Sequence, residues 1–226
     1  MKSFEAIQLY NLKQTYPQIN RCILSSVADT NIVLTEALKT ECDYYLEFDH
    51  NTPVPITNLY ESPTTLGLDR LAAAIGGSSI FPGKELLVID AGTAITYDLI
   101  DNNNCFLGGN ISPGLKMRFR ALHHFTKKLP EMAPADIWPG YGKTTDEAIR
   151  AGVQQGMIFE IDGMIEHIRK DWPHCTVILT GGDCFFFDKK LKNTILAKFE
   201  LTLIGLNRVL EFNAGIKYNT SVCFRI

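Results

Sequence analysis

The sequence has no Cys-x-x-Cys pair, although it is not poor in cysteine. Its six cysteines are scattered along the chain: Cys22, Cys42, Cys105, Cys175, Cys184 and Cys223. This scatter fits reduced thiols in a cytoplasmic protein better than a zinc site or a disulfide scaffold. His123 and His124 are adjacent, whereas two metal ligands on one helix face are four residues apart. We therefore expect both histidines to be surface residues.

The sequence also lacks a long apolar run and an excess of positive charge. It has no apolar stretch of about 18 residues and no charged-then-apolar leader at Met1, so we expect neither a membrane span nor a secretory signal. The formal net charge of −3 argues against nucleic acid as the main partner. The 226 residues, 46% of them hydrophobic, suffice for one large domain or two small ones with a packed core.

The most informative stretch that is present runs from Leu86 to Asp98. Residues 86–89 are apolar and uncharged, which is typical of a buried strand, and Ala91-Gly92-Thr93 then predicts a tight turn before a second strand. The turn offers backbone N–H groups to a phosphate, Thr93 and Thr96 add hydroxyl donors, and Asp90 can hold a cation or orient a nucleophile. The alternative is a plain hairpin in which Asp90 hydrogen-bonds its own turn.

The rest of the chain alternates helical and strand patterns, as in an α/β protein with parallel strands. Helices are predicted at residues 4–16, 31–40, 71–75, 115–129, 144–172 and 199–212, and strands at 22–27, 44–48 and 176–180. Residues 49–65 contain three prolines and no sustained periodicity, which indicates a loop, and loops of this length are usually functional. The strand at 176–180 leads into a second glycine turn, Gly181-Gly182-Asp183. Ligands bind at such strand ends, although a turn shaped only for packing is the alternative.

Asp69 and Arg70 follow the loop. They come immediately before the helical run at residues 71–75, which Gly76-Gly77 is expected to end. Asp69 stands where an N-cap residue belongs, so a structural reading makes it a cap and leaves Arg70 solvated. The functional reading is that Asp69 accepts a proton while Arg70 clamps an anion. The sequence leaves both open.

Six motifs occur together in the order seen in type III pantothenate kinases, which this sequence resembles from about residue 22 to residue 213. They are Gly67-Leu-Asp-Arg70, Asp90-Ala-Gly-Thr-Ala-Ile-Thr96, Gly109-Asn-Ile-Ser-Pro-Gly114, Leu129-Pro130, Thr145-x-x-Ala-x-x-x-Gly152 and Thr180-Gly-Gly-Asp183. The resemblance implies an α/β fold of duplicated ribonuclease H-like domains of the sugar kinase/actin superfamily, and a homodimer. It also implies transfer of the γ-phosphoryl group of ATP to the 4′-hydroxyl of pantothenate, the first step of coenzyme A biosynthesis. The expected division is residues 1–82, 83–214 and a tail at 215–226.

On the pantothenate side, the resemblance makes Asp69 the base that takes the hydroxyl proton. It implies a pantothenate pocket that includes Tyr60, Gly67, Leu68, Asp69, Arg70 and Thr145. These roles suit phosphoryl transfer, in which the protein mainly positions the reactants and neutralises charge.

On the ATP side, the resemblance makes Asp90 the residue that binds a monovalent cation, K⁺ or NH₄⁺. Gly92 and Thr93 contact the ATP phosphates, and Gly181 and Gly182 form the turn on the adenosine side. Mg²⁺ is expected to bridge the phosphates.

The N-terminus departs from the family pattern. Type III pantothenate kinases open with an apolar strand and an Asp-x-Gly-Asn-Thr phosphate loop, whereas here Met1 falls near the helix that follows and residues 1–27 contain no glycine. We therefore expect an N-terminal domain that is incomplete, without its first strands and first phosphate loop. The alternative function is a non-catalytic pantothenate-binding or regulatory homologue. A third alternative is a two-metal nuclease that uses Asp69 and Asp90. The sequence argues against it, because it lacks the clustered carboxylates and the basic channel that such an enzyme needs.

Overall fold

The computed structural model describes residues 6–26 and 32–215. Within these ranges the helices are α1 (Ala6–Thr15), α2 (Ile32–Glu41), α3 (Leu68–Ile80), α4 (Leu115–Phe125), α5 (Thr145–Arg150), α6 (Gly156–Asp171), α7 (Cys184–Phe187) and α8 (Leu201–Asn213). The strands are β1 (Arg21–Leu24), β2 (Tyr44–Glu47), β3 (Thr57–Asn58), β4 (Leu86–Ala91), β5 (Ala94–Ile100), β6 (Cys105–Pro113), β7 (Thr176–Thr180) and β8 (Leu196–Ala197). None of the helices described combines the length and apolar character needed to cross a bilayer.

The chain divides into two units. The first comprises the residues up to Ile80 together with those from Leu201, and the second comprises Phe81–Glu200. The division expected from the sequence placed residues 83–214 in one domain. In the structure α8 groups with the first unit instead, because it packs along α3. The expected tail lies outside the described residues from position 216 onward.

The second unit is built on a mixed sheet in which β6, β5, β4, β7 and β8 lie side by side in that order. Strand β5 runs antiparallel to both β4 and β6, whereas β4, β7 and β8 are parallel. Numbered within the unit from β4, this is the order 3-2-1-4-5 with the second strand antiparallel, which is the arrangement of a ribonuclease H-like domain. The α/β fold class predicted from the sequence is confirmed here.

Strand β4 lies at the centre of that sheet. Leu86, Leu87, Val88 and Ile89 are fully buried, as a strand covered on both faces requires. On the face that carries Leu87 and Ile89, the core includes Phe119 of α4 and Ile161 and Ile165 of α6. This packing fixes the strand end at Asp90.

The helix expected over residues 144–172 is present, with one irregularity. Ala151–Gln155 forms a π-helical turn between α5 and α6, and the buried Gln154 side chain bonds both the N–H and the carbonyl of Ala135, at 2.8 and 2.9 Å. The N-cap is also as expected, because the Thr144 hydroxyl accepts from the Glu147 N–H at 3.2 Å. The Glu147 carboxylate accepts from Lys143 N–H rather than from Thr144, so the capping box is incomplete.

Helix α4 is tied to its surroundings through Arg118. The Arg118 guanidinium donates to Ser112 Oγ at 2.9 Å, to the Pro113 carbonyl at 2.7 Å and to Glu160 of α6 at 2.5 Å. Glu160 also accepts from the buried Tyr97 hydroxyl at 3.0 Å. Burial and the neighbouring Glu160 carboxylate both raise the pKa of Tyr97, so this hydroxyl keeps its proton. The helix ends at Phe125 rather than at the expected Leu129, because the next residue, Thr126, has extended backbone angles.

In the first unit, β1 and β2 form a parallel pair and Leu9, Leu24, Leu34 and Leu38 pack into a small core. The helix expected to stop at Gly76-Gly77 continues to Ile80. Gly76 allows close packing and does not end the helix, because a Cβ placed on it would lie 2.2 Å from the carbonyl oxygen of Leu201 in α8.

Candidate functional site

Two glycine turns of the second unit meet at the carboxyl ends of β4 and β7. Asp90 pairs with Thr180 in the parallel register, so both strands deliver their turns at the same level. The N–H of Asp183 donates to the Ala91 carbonyl at 2.9 Å, which joins one turn to the other. From β4 the chain leads to β5 on one side, and from β7 to β8 on the other, so this is the point where the strand order reverses. Open α/β sheets bind ligands at such a point.

Gly181 lets the two turns approach this closely. Its φ of +91° belongs to the left-handed region that favours glycine. A Cβ at Gly181 would lie 2.3 Å from Asp90 Oδ1 and 2.5 Å from the Ala91 carbonyl oxygen. Any larger residue would displace the Asp90 carboxylate. Gly182 is exposed and a Cβ there would meet open space.

Gly114 packs against the first turn, although the sequence alone did not assign it to the site. The Gly114 N–H donates to the Thr93 carbonyl at 3.1 Å, and a Cβ on Gly114 would lie 2.2 Å from the Gly92 carbonyl oxygen. The Thr93 side chain is exposed and Gly92 is half-buried. Gly114 is the last residue of the Gly109-to-Gly114 motif, so the sequence marks it as notable. Its contact with Gly92 and Thr93 could not be inferred from the spacing of the motifs.

The turn at Asp90 offers oxygen atoms that a cation can bind. The carboxylate is half-buried at the strand end, and carboxylate and carbonyl oxygens are the ligands that hard cations take. Among residues 6–26 and 32–215, no three or more His, Cys, Asp or Glu side chains gather into a group able to hold a metal.

Asp183 is a second carboxylate at these turns that sequence reasoning did not single out. It occupies the N-cap position of α7, and its side chain makes no capping bond. Burial raises the pKa of Asp183 above its ordinary value, and the nearby Lys116 of α4 acts in the opposite direction. A positive charge of α4 therefore reaches the turn region.

The first unit holds the other group of predicted residues. The Arg70 side chain is only 5% exposed, and its guanidinium carbon lies 5.6 Å from the centroid of the Tyr60 ring. A Cβ on Gly67 would lie 2.6 Å from Asp69 Oδ1, so Tyr60, Gly67, Asp69 and Arg70 are neighbours. Leu68 is the first residue of α3 and is half-buried. The reading of Arg70 as a solvated residue is wrong, since Tyr60 from the preceding loop covers it.

Asp69 is not the N-cap expected from the sequence. Helix α3 begins at Leu68, which makes Asp69 the second residue of the first turn, and its carboxylate accepts from the Arg70 N–H at 2.9 Å. There it still faces the positive end of the helix dipole. The side chain is exposed, which leaves the carboxylate accessible to a ligand.

Thr145 belongs to the second unit, where it is the exposed first residue of α5 beside the cap Thr144. Within the first unit, the structure thus brings together Tyr60, Gly67, Asp69 and Arg70. Within the second unit it brings together Asp90, Gly92, Thr93 and Gly181. The expected loss of a first phosphate loop stays a prediction.

A family model and the sequence relatives of this chain agree on one family. The model of the type III pantothenate kinase family matches residues 4–167. A type III pantothenate kinase of Phocaeicola vulgatus is 50% identical over 198 residues, which cover 88% of this chain and 81% of that protein. One from Bacteroides fragilis is 47% identical over 197 residues, covering 87% and 81%. Among solved structures, a conserved Baf family protein from Campylobacter jejuni matches with a TM-score of 0.56 and 23% identity over 90% of this chain and 89% of that one, a likeness of fold.

Proposed function

Because the chain belongs to the type III pantothenate kinase family, we propose that it transfers the γ-phosphoryl group of ATP to the 4′-hydroxyl of pantothenate, the first step of coenzyme A biosynthesis. The observation that carries the proposal is the family match over most of the chain. The non-catalytic alternative has no support among these relatives, which are all named as kinases.

Asp69 is the proposed base. Its exposed carboxylate stands in the first turn of α3, where it can accept the proton that the substrate hydroxyl loses as it attacks phosphorus. Arg70 is held under the Tyr60 ring and supplies a positive charge beside it. Gly67 and Leu68 shape the start of the same helix. Thr145, the first residue of α5, is proposed as a further pantothenate-binding residue. A buried guanidinium makes a stronger bond to a pantothenate carboxylate than a solvated one would.

The nucleotide side is proposed at the two glycine turns. Gly92 and Thr93 offer an N–H-rich turn and a hydroxyl to phosphate oxygens, and Gly181 and Gly182 form the adjoining turn. Asp90 is the residue that would hold K⁺ or NH₄⁺ at the first turn. Mg²⁺, when bound together with ATP, would neutralise part of the negative charge of the triphosphate.

We propose a cytoplasmic homodimer. The described face of β6 and α4 exposes apolar side chains, among them Ile111, Met117 and Phe125, the last 82% exposed. A shallow cavity of about 410 Å³ lies on the same helix between Met117, Arg120, His124 and Phe125. Such a cluster is typical of a surface that a second copy covers. The two histidines there are exposed, as the sequence predicts.

A coupled assay of ADP release tests the activity with ATP, Mg²⁺ and K⁺, with pantothenate present or omitted. Pantothenate-dependent turnover supports the proposal. The cation role is tested by replacing K⁺ with tetramethylammonium, which is too large for a site at one carboxylate, and by Asp90→Asn. Loss of turnover in the wild type without K⁺, and an Asp90→Asn chain insensitive to K⁺, are the expected results.

Sedimentation velocity at micromolar concentration tests the dimer. Wild type is expected to sediment as a dimer and Phe125→Asp as a monomer, because a buried charge would be placed in the contact. Phe212→Asp on α8 is the matched control for an exposed phenylalanine in the other unit. A wild type that stays monomeric would refute the dimer without touching the kinase proposal.

A further inference from the structure

Two phenylalanines near the second glycine turn are exposed and in contact with each other. Phe185 is 69% exposed and Phe199 is 56% exposed, although aromatic side chains normally bury most of their surface. Their ring centroids lie 5.5 Å apart with an interplanar angle of 26°, so the rings are stacked. The pair presents an apolar surface with no hydrogen-bonding group of its own.

Both rings are anchored at the carboxyl end of β7. Phe185 is the second residue of α7, which begins directly after the turn, and its neighbours Cys184 and Phe187 are fully buried and hold that helix in place. On the other side, the Thr180 hydroxyl donates to the Phe199 carbonyl at 3.2 Å, and Lys198 N–H donates to the Leu179 carbonyl at 2.8 Å. The backbone at both phenylalanines is therefore fixed relative to Gly181.

The position of the pair within the sheet indicates what it contacts. The crevice where the strand order reverses lies between β4 and β7, with the Asp90 turn on the β4 side and the two phenylalanines on the β7 side. A nucleoside triphosphate has a charged end and a planar aromatic end. Its phosphates suit the N–H groups of the glycine turns, and its base suits an exposed aromatic surface, because base and phenyl ring stack face to face.

We propose that Phe185 and Phe199 form a platform on which the purine base of the nucleoside triphosphate stacks. The platform rests on the proposed kinase function for the identity of its ligand. The affinity gained by stacking on a phenyl ring depends on the area of the base and not on its hydrogen-bonding groups. The platform therefore accepts adenine and guanine alike and holds the smaller pyrimidines less well.

Binding measurements on the full chain separate the base from the phosphates. Isothermal titration calorimetry would compare ATP with inorganic tripolyphosphate on wild type, Phe185→Ala and Phe199→Ala. We expect each alanine variant to raise the Kd for ATP about tenfold, since stacking is worth about 1–3 kcal/mol per base. The Kd for tripolyphosphate is expected to stay unchanged. Phe185→Trp keeps a planar ring and is expected to bind ATP at least as tightly as wild type.

Phe159→Ala on α6 removes a phenyl ring that is equally exposed, at 68%, and is expected to change neither Kd. Unchanged ATP affinity in both platform variants would overturn the proposal, as would an equal loss of ATP and tripolyphosphate binding. The kinase function fails separately, if wild type binds ATP yet releases no ADP with pantothenate. In that case a loss of ATP affinity in the variants still supports the platform.

Discussion

A Cβ atom placed on Gly205 of α8 would lie 1.7 Å from the carbonyl oxygen of Ala72 in α3. With the reciprocal approach of Gly76 to Leu201, this contact brings the two helix backbones together without side chains between them. The segment Leu71–Ser78 of α3 is buried almost without interruption. Asp69 and Arg70 lie in the first turn of that same helix, so its packing also sets their position.

Gly205→Ala and Gly76→Ala are expected to destabilise the protein. Each added methyl meets backbone, which cannot move aside as a flexible side chain can, so a loss of at least about 1–3 kcal/mol is expected. The midpoint of urea unfolding measures it. Gly163→Ala on α6 is the matched control, because nothing lies within 4 Å of its Cβ position. That change is expected to stabilise the helix by about 0.5–1 kcal/mol. Equal midpoints for Gly205→Ala and Gly163→Ala would contradict the close packing.

Asp69→Asn is expected to lower kcat by about 10²–10⁴-fold, the usual contribution of a general base. The side chain keeps its size, and an exposed residue is not needed for the core, so pantothenate should still bind. Turnover by ADP release and binding by calorimetry check the two halves. Asp136→Asn removes an exposed carboxylate from the loop before α5 and should leave both unchanged. Full activity in Asp69→Asn would remove it from the chemistry.

Arg70→Ala is expected to weaken pantothenate binding by about 1.5–3 kcal/mol, the value of a hydrogen bond to a charged group. Arg70→Lys keeps the charge but loses the planar group over Tyr60, so it should recover only part of the affinity. Lys170→Ala, at an exposed position near the end of α6, controls for the loss of one positive charge. If Arg70→Ala bound pantothenate as tightly as wild type, Arg70 would not be part of the pocket.

Asp183→Asn is expected to stabilise the protein at pH 7. Burial raises the pKa of Asp183 in the folded state, so the folded chain holds the proton more strongly than the unfolded chain does. The stabilisation from this group is complete below the ordinary Asp pKa and is lost as pH rises through the raised value. Melting temperatures at pH 7 should therefore favour Asp183→Asn, and the gain should shrink as pH falls toward 4. A gain that did not change with pH would argue against titration of Asp183.

The strand-turn-strand at Leu86 and the turn after β7 could be predicted from the sequence, because buried strands leave short apolar runs that glycines punctuate. The end of α3 could not. Gly76 is inside the helix because α8 lies against it, and that partner is more than a hundred residues away along the chain. The contact of Arg70 with Tyr60 could not be predicted either, because Tyr60 lies in a loop without periodicity.

The residues of the candidate site could also be predicted only in part from the sequence. Asp90, Gly92 and Thr93 lie within four consecutive residues, so a single motif was enough to predict them as a group. Their contacts with Gly181 and Gly114 join three separate motifs, and strand pairing alone decides that these meet. The start of α3 was misplaced because no side chain of the usual capping type precedes Leu68, and Asp69 was the nearest residue that resembled one.

The return of α8 to the first unit affects the order in which a ribosome allows this chain to fold. Helix α3 emerges before the roughly 120 residues of Phe81–Glu200, and at about 5–20 residues per second its partner follows after roughly 6–24 s. During that interval the small-residue face of α3 has no α8 to cover it, whereas the inserted second unit has its whole sequence available. Synthesis therefore favours completion of the second unit first, and the first unit, with its Asp69 and Arg70, is completed only after α8 has emerged.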